Sequence, residues 1–171
     1  MLTNGISEET MSRILAIDAG NKQSGYAVIE MPNLNILEAG KIDNNELLKA
    51  IPLISSAVDI YALEMIASYG KAVGKDVFDT CVWIGRFIQA AEIEHTIVYR
   101  KEEKLRFCND IRAKDTNIRR AMIDEFAKHD FKTGKGTKKN PDTFYGVKKD
   151  AWEAIAVGIV AYEREDINEL Y

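Results

Sequence analysis

The sequence predicts a single α/β domain, and two observations favour that class. Three short apolar segments precede the first helical pattern, and turns containing Gly, Asn or Pro separate them. Further along the chain, apolar segments of strand length alternate with longer segments that repeat at the helical period. The chain has 171 residues, of which 46% are hydrophobic and 29% charged, so it has the composition and length of one globular domain.

The first part of the chain predicts an antiparallel meander followed by a helix. A polar lead-in covers residues 1–12 and is expected to be flexible, and a single folded domain is expected over residues 13–171. Three strands are predicted at residues 13–18, 24–30 and 35–42. Asp43 or Asn44 is expected to cap a helix that runs to about Ser56, and Pro52 is expected to kink or break it.

The remaining elements alternate between strand and helix. Strands are predicted at 59–66 and 95–100, helices at 75–94, 115–129 and 149–163, and a flexible basic loop at 131–147. The helix at 75–94 has a broad apolar surface, which predicts either two buried faces, one of them on a partner, or burial in one core. Residues 101–112 are charged and are assigned no element.

Charge is distributed unevenly along the chain. The net charge is −4, but residues 1–98 carry −6, residues 99–149 carry +7 and residues 150–171 carry −5. The basic section indicates either a local anionic partner or a solvated loop. Cys81 and Cys108 form no metal-type pair and favour a reduced, cytoplasmic compartment, and no apolar run is long enough to span a membrane.

Four carboxylates lie where a metal site would need them. Asp18 ends the first predicted strand, Glu64 interrupts the apolar fourth strand, and Asp150 and Glu153 are one helical turn apart at the start of the last helix. Taken separately, Glu64 could pair with an arginine and Asp150 could cap its helix. One site for Mg²⁺ or Mn²⁺ explains all four together, because these ions prefer carboxylate oxygens.

The acidic segments, in this order, resemble the motifs of RuvC-type Holliday junction resolvases. The resemblance lies in residues 14–20 with 24–29, in residues 63–66 and in residues 150–154, and it extends over about residues 13–163. Residues 67–70, 73–74 and 83–87 are similar to the bacteriophage branch of that family in particular.

The resemblance implies an RNase H-like fold, in which a five-stranded mixed sheet carries helices on both faces. It also implies a homodimer that binds four-way or other branched DNA and resolves it by paired metal-dependent nicks, in DNA recombination and repair. Asp18, Glu64, Asp150 and Glu153 would be the catalytic and metal-binding residues, with Mg²⁺ or Mn²⁺ as cofactor. The protein would act in the cytoplasm, that of a bacterial host if it is phage-encoded.

Basic and aromatic residues near these motifs are the expected DNA contacts: Tyr69, Lys132, Lys135, Lys138, Lys139, Lys148 and Lys149. Solvated lysines on a tether are the alternative. Bacterial members of the family end the last motif in Asp and carry an aromatic wedge three residues after the second acid. Here Glu153 and Ala67 occupy those places, which leaves metal preference and cleavage-site preference open.

Two other functions remain open from the sequence. A nuclease of the same fold could act on RNA or on RNA–DNA hybrids, and a branched-DNA-binding module could lack catalysis. An actin-like ATPase would share a hairpin such as residues 18–25, but it needs two lobes, for which this chain is too short.

Overall fold

The computed structural model describes residues 10–169, and the side chains of residues 10–165. Residues 1–9 of the predicted lead-in lie outside the described residues, and Ser12 already belongs to the first strand. Within the described residues, no helix has the length and apolar character that crossing a membrane requires.

A five-stranded mixed sheet forms the centre of the molecule. Its strands are β1 (Ser12–Asp18), β2 (Gln23–Met31), β3 (Asn35–Asp43), β4 (Ile60–Met65) and β5 (His95–Tyr99). They are ordered β3-β2-β1-β4-β5 across the sheet. The first three strands pair antiparallel, whereas β4 lies parallel to β1 and β5 parallel to β4. The predicted strands and the mixed character of the sheet are confirmed.

Helices cover both faces of the sheet. They are α1 (Asn44–Ser55), α2 (Lys75–Ala90), α3 (Arg100–Cys108), α4 (Asp115–Phe126) and α5 (Trp152–Glu169), with a 3₁₀ turn at Lys149–Ala151. Side chains of β1 alternate between the faces, because successive strand residues point in opposite directions. Ile14 and Ala16 pack with α4 and α5, while Leu15 and Ile17 pack with α1 and α2.

Helices α2 and α4 end at Ala90 and Phe126, short of the predicted 94 and 129, and three other helices differ further from their predicted form. Residues 100–108, for which the sequence predicts no element, form α3, so Arg100 begins a helix and does not end a strand. Pro52 lies in the last turn of α1, which continues to Ser55. The last helix begins at Trp152, after the 3₁₀ turn, because Lys149 and Asp150 are still outside the α-helix.

The basic segment at 131–147 also differs from the predicted flexible loop, because two carboxylates organise its backbone. Asp142 accepts hydrogen bonds from backbone N–H groups of residues 128, 129, 130 and 143. Asp130 accepts them from residues 132, 133 and 136. Phe144 is buried and stacks on Trp152 with ring centroids 4.4 Å apart, which anchors the segment to α5.

Candidate active site

Asp18 is held at the end of β1 by a hydrogen-bonded turn. Ser24 Oγ donates to Asn44 Oδ1 at 2.6 Å, and Asn44 Nδ2 donates to the Gly20 carbonyl at 2.8 Å. The Gly20 N–H donates to Ser24 Oγ at 3.2 Å. Ser24 and Asn44 are buried, so this network fixes the turn that follows Asp18 and thereby the direction in which β1 presents its last side chain.

A glycine opposite Asp18 lets the end of the chain approach the first hairpin. Gly25 pairs with Asp18 in the sheet register, and a Cβ atom at Gly25 would lie 2.3 Å from the Asp150 carbonyl oxygen. No side chain fits there without moving backbone. This close approach brings the 3₁₀ turn and the start of α5 beside the end of β1.

Glu64 joins Asp18 because β1 and β4 are adjacent and parallel. The last paired positions of the two strands are Ile17 and Leu63, so Asp18 and Glu64 follow at the same edge of the sheet. Parallel strands present their carboxyl ends together, which is where sites form in sheets of this type. This register brings together the first two of the four acids that the sequence singles out.

Arg100 lies beside Glu64 and contacts three carboxylates. It directly follows β5, whose Tyr99 pairs with Met65 of β4. Its Nη1 is 3.9 Å from Glu64 Oε2, and the guanidinium also pairs with Glu103 and with Asp115 at the start of α4. The guanidinium therefore connects residues of β4, α3 and α4 at the edge of the acidic cluster.

Glu153 is positioned by a second arginine. Arg119 on α4 donates from Nη2 to Glu153 Oε1 at 2.6 Å and to the Lys149 carbonyl at 3.1 Å. Both side chains are largely buried, with 23% and 15% of their surface exposed. Arg119 thus holds the first turn of α5 against α4. Its Nε is buried without a hydrogen-bond partner.

Burial and neighbouring negative charge raise the pKa values of three of these acids. Burial, and then the charges of Glu64 and Glu153, raise the pKa of Asp18 to about 7. Burial also raises the pKa of Glu64, against the lowering effect of Arg100. The pKa of Glu103 rises to about 9 through burial and the neighbouring Glu64, and its Oε1 is buried without a hydrogen-bond partner. We use the name acidic cluster for Asp18, Glu64, Glu103, Asp115 and Glu153.

Asp150 makes an ion pair with a residue outside the acidic cluster. Its Oδ1 is 3.4 Å from Lys41 Nζ on β3, and half of its side chain is exposed. The sequence predicts that Asp150 and Glu153 share a helical face. Asp150 belongs to the 3₁₀ turn and Glu153 to the first turn of α5, and the two carboxylates have different partners, Lys41 and Arg119. The role of Asp150 as a metal ligand stays a prediction.

The donor set fits a hard divalent cation in chemistry but not in its present arrangement. Asp18, Glu64 and Glu153 offer carboxylate oxygens from three elements, as Mg²⁺ or Mn²⁺ prefers. Among the described residues, however, no group of three or more His, Cys, Asp or Glu side chains is arranged to hold a metal ion. Glu64 and Glu153 face arginines instead. Metal binding would require these carboxylates to turn from the arginines toward Asp18.

The predicted DNA contacts lie on exposed or partly exposed surfaces. Lys132, Lys138, Lys139, Lys148 and Lys149 are exposed, and Lys135 is partly exposed. Tyr69 is 69% exposed and adopts a positive φ of 48°. It lines an open groove of about 450 Å³ together with Arg100 and with Ala67, Lys101, Lys104 and Ile111. Arg100 therefore connects this groove to the acidic cluster.

Sequence reasoning missed Arg100, Glu103 and Arg119 as members of the site. Arg100 and Glu103 lie in a charged run without a clear apolar stripe, and Arg119 lies on a helix singled out only for its buried residues. The register could have indicated Arg100, since the residue after β5 lies near the end of β4. The contact between Arg119 and Glu153 spans 34 positions and has no local signal.

Comparison with known proteins identifies the fold. No protein-family model matches the sequence, and no curated protein matches it. The solved structure of Thermus thermophilus RuvC aligns with a TM-score of 0.62 and 12% identity, over 90% of this chain and 96% of that one. The chain has a RuvC-like fold. The complex of T. thermophilus RuvC with a Holliday junction substrate aligns with a TM-score of 0.61 and 10% identity, over 91% and 96% of the two chains.

The RuvC likeness confirms the predicted RNase H-like architecture. The structure has the five-stranded mixed sheet with helices on both faces that the sequence predicts. At 12% identity the likeness is one of fold. Assignment to the bacteriophage branch stays a prediction.

Proposed function

We propose that the chain is a divalent-metal-dependent endonuclease that resolves four-way and other branched DNA by paired nicks. The observation that carries the proposal is the acidic cluster at the carboxyl ends of β1 and β4, set in a RuvC-like fold. Carboxylates whose pKa values are raised by burial and by neighbouring acids are typical of sites that perform chemistry. RuvC itself has been solved in complex with a Holliday junction substrate.

In this proposal Asp18, Glu64 and Glu153 hold Mg²⁺ or Mn²⁺, and Asp150 is a further candidate ligand. The metal would activate water and stabilise the charge that develops on the scissile phosphate. Asp18 is fixed by its turn and needs little reorganisation, whereas Glu64 and Glu153 must leave their arginines. Lys148 and Lys149 are exposed next to this site and are proposed to contact the scissile strand.

The deciding experiment is incubation of the purified chain with a four-way junction and Mg²⁺. Symmetrical nicks in two opposing strands are the expected product. Cleavage of an RNA–DNA hybrid in preference to the junction would instead favour the nuclease of the same fold that acts on RNA. Junction binding without any metal-dependent nick would favour a binding module.

Paired nicks require two active sites in fixed relation, and we propose that α2 forms the dimer contact. Phe78 and Val82 are each 62% exposed, and Cys81 is exposed between them, so one face of α2 is apolar and uncovered. The opposite face buries Ile84 and Phe87 in the core. A two-fold dimer would cover the exposed face with its own copy.

We expect the wild-type chain to sediment as a dimer at micromolar concentration. The double variant Phe78→Asp/Val82→Asp is expected to sediment as a monomer with nearly unchanged thermal stability, because both side chains are largely exposed. Leu37→Asp on β3, where Leu37 is 45% exposed, is the control and should remain dimeric. A wild-type chain that is monomeric with and without DNA contradicts the paired-nick mechanism.

The lysines of the basic segment are proposed to bind the DNA backbone. Lys138→Ala/Lys139→Ala is expected to weaken junction binding and to lower the log–log salt slope by roughly one unit for each phosphate that the protein no longer neutralises. Both side chains are exposed, so the thermal stability should hardly change. Binding titrations across a salt series provide the measurement, with Lys49→Ala on α1 as the control. Equal slopes and affinities in the double variant and the wild type would identify the segment as a solvated surface.

A further inference from the structure

The charge of the acidic cluster is compensated mainly from two sides by arginines. Arg119 pairs with Glu153 and donates to the 3₁₀ turn. Arg100 contacts Glu64, Glu103 and Asp115, which belong to three different elements. The Arg100 side chain is 23% exposed, so its contacts are only partly screened by solvent.

The compensation of charge is incomplete. Asp18 makes no ion pair with Arg100. The charge of Arg100 lowers the pKa of Asp18, but burial and the charges of Glu64, Glu153 and Asp115 raise it. Glu64 is 3.9 Å from the guanidinium, which is a weaker contact than those of Glu103 and Asp115. The cluster can therefore take up further positive charge at Asp18 and Glu64, the edge where β1 and β4 end.

We propose that Arg100 is the built-in counter-ion of the acidic cluster: it positions Glu64 and Asp115 in the metal-free protein and is partly replaced when divalent cations bind. The inference rests on the proposed metal-dependent function. It assigns to Arg100 a positioning role, since the guanidinium acts through the carboxylates that it holds.

The chemistry of arginine suits this role. The guanidinium keeps its charge at every pH at which the protein is folded, and its planar fork can serve several carboxylates at once. A divalent cation at Glu64 would meet the same carboxylate and the like charge of Arg100. Metal binding should therefore weaken the contacts of Arg100, and removal of the guanidinium should raise the affinity for the metal.

The experiment compares thermal unfolding of the full chain in EDTA and in Mg²⁺, without DNA. Arg100→Gln is expected to lower the Tm in EDTA, because carboxylates lose their counter-charge. It should also bind Mg²⁺ about tenfold more tightly than the wild type, since the competing charge is gone. That change corresponds to a Mg²⁺-induced rise in Tm about 3–6 °C larger than that of the wild type. Calorimetric titration with Mn²⁺ measures the affinity directly.

Arg106→Gln is a matched control on the same helix. Arg106 is 24% exposed and pairs with Glu125 and Glu163, away from the acidic cluster. It should lower the Tm in EDTA but leave the Mg²⁺-induced rise unchanged, as a purely structural ion pair would. Arg100→Lys keeps a positive charge but lacks the planar guanidinium. Its Mg²⁺-induced rise in Tm should lie between those of the wild type and Arg100→Gln.

Each outcome distinguishes this inference from the proposed function. Equal Mg²⁺-induced rises in the wild type and Arg100→Gln overturn the counter-ion role and leave the metal site standing. No rise in any variant, and no Mn²⁺ binding, overturns both. If Arg100→Gln does not fold in either solution, Arg100→Lys decides: a rise larger than that of the wild type supports the role, and an equal rise overturns it.

Discussion

Asp18→Asn is expected to lower the rate of junction cleavage at least about a thousandfold while leaving junction affinity within about twofold of the wild type. The substitution removes one negative charge from the proposed metal site and keeps the size of the side chain. The exposed lysines that are proposed to bind the DNA backbone are unaffected. Single-turnover cleavage and equilibrium binding in Ca²⁺ or EDTA measure the two quantities separately.

The loss of activity should not reflect unfolding. Burial and neighbouring acids raise the pKa of Asp18 to about 7, so the folded, metal-free chain loses stability as the pH rises from about 4 to about 7, and this cost is fully present at pH 8. Asn removes this cost, and the Tm of Asp18→Asn in EDTA at pH 8 should equal or exceed that of the wild type. Asp124→Asn, whose carboxylate pairs with Arg120 on the surface of α4, is the control and should cleave normally.

Cleavage by Asp18→Asn at the wild-type rate would show that the acidic cluster is not the metal site. Loss of both cleavage and binding in a folded variant would instead assign Asp18 to DNA recognition. The comparison therefore tests the assigned chemistry and not merely the importance of the residue.

The core of the candidate site could be predicted from the sequence because its acids interrupt strong local patterns. Asp18 ends an apolar strand and Glu64 lies inside another, and buried acids are costly unless they are paired or bind a metal. Parallel pairing of β1 and β4 then brings them to one edge. Glu153 was predicted from its place in the last helix.

The arginines could not be predicted in the same way, because their partners are distant in sequence. Helix α3 lacks a clear apolar stripe, and tertiary ion pairs stabilise it: Arg106 contacts Glu125 on α4 and Glu163 on α5. Local helix propensity does not depend on such contacts and cannot indicate them. The partners of Asp150 and Glu153 likewise have no local signal, because Lys41 lies on β3 and Arg119 on α4.

The basic segment at 131–147 shows how composition can conceal an organised turn. Lysines and glycines are typical of flexible loops, and they supported that prediction. The organising groups are the carboxylates of Asp130 and Asp142, which collect backbone N–H donors from both ends of the segment. Asx turns are visible in sequence, but a carboxylate that reaches 14 residues back to residue 128 is not.

Asp142→Asn is expected to lower the Tm at pH 7 by about 5 °C or more, which is a large effect for one side-chain amide. Asp142 Oδ1 accepts the N–H groups of Lys128 and Thr143, and Oδ2 accepts those of His129 and Asp130. An amide can present an oxygen to only one of these pairs, and its own N–H₂ group then faces the other pair of donors. Asp110→Asn, which removes an exposed carboxylate beside Arg112, is the control and should change the Tm little.

The same variant should lose a pH dependence that the wild type has. Burial alone would raise the pKa of Asp142, but the backbone donors outweigh it and hold that pKa well below its usual range. A carboxylate with a depressed folded-state pKa stabilises the fold above its unfolded pKa of about 4 and loses that contribution as the pH falls. The difference in Tm between the wild type and Asp142→Asn should therefore shrink as the pH is lowered from 5 toward 2.

Junction binding by the variant should weaken at pH 7, because Lys138 and Lys139 lie on the turn that Asp142 organises. A variant that binds the junction normally, yet unfolds at the lower temperature, would separate the order of this segment from DNA recognition.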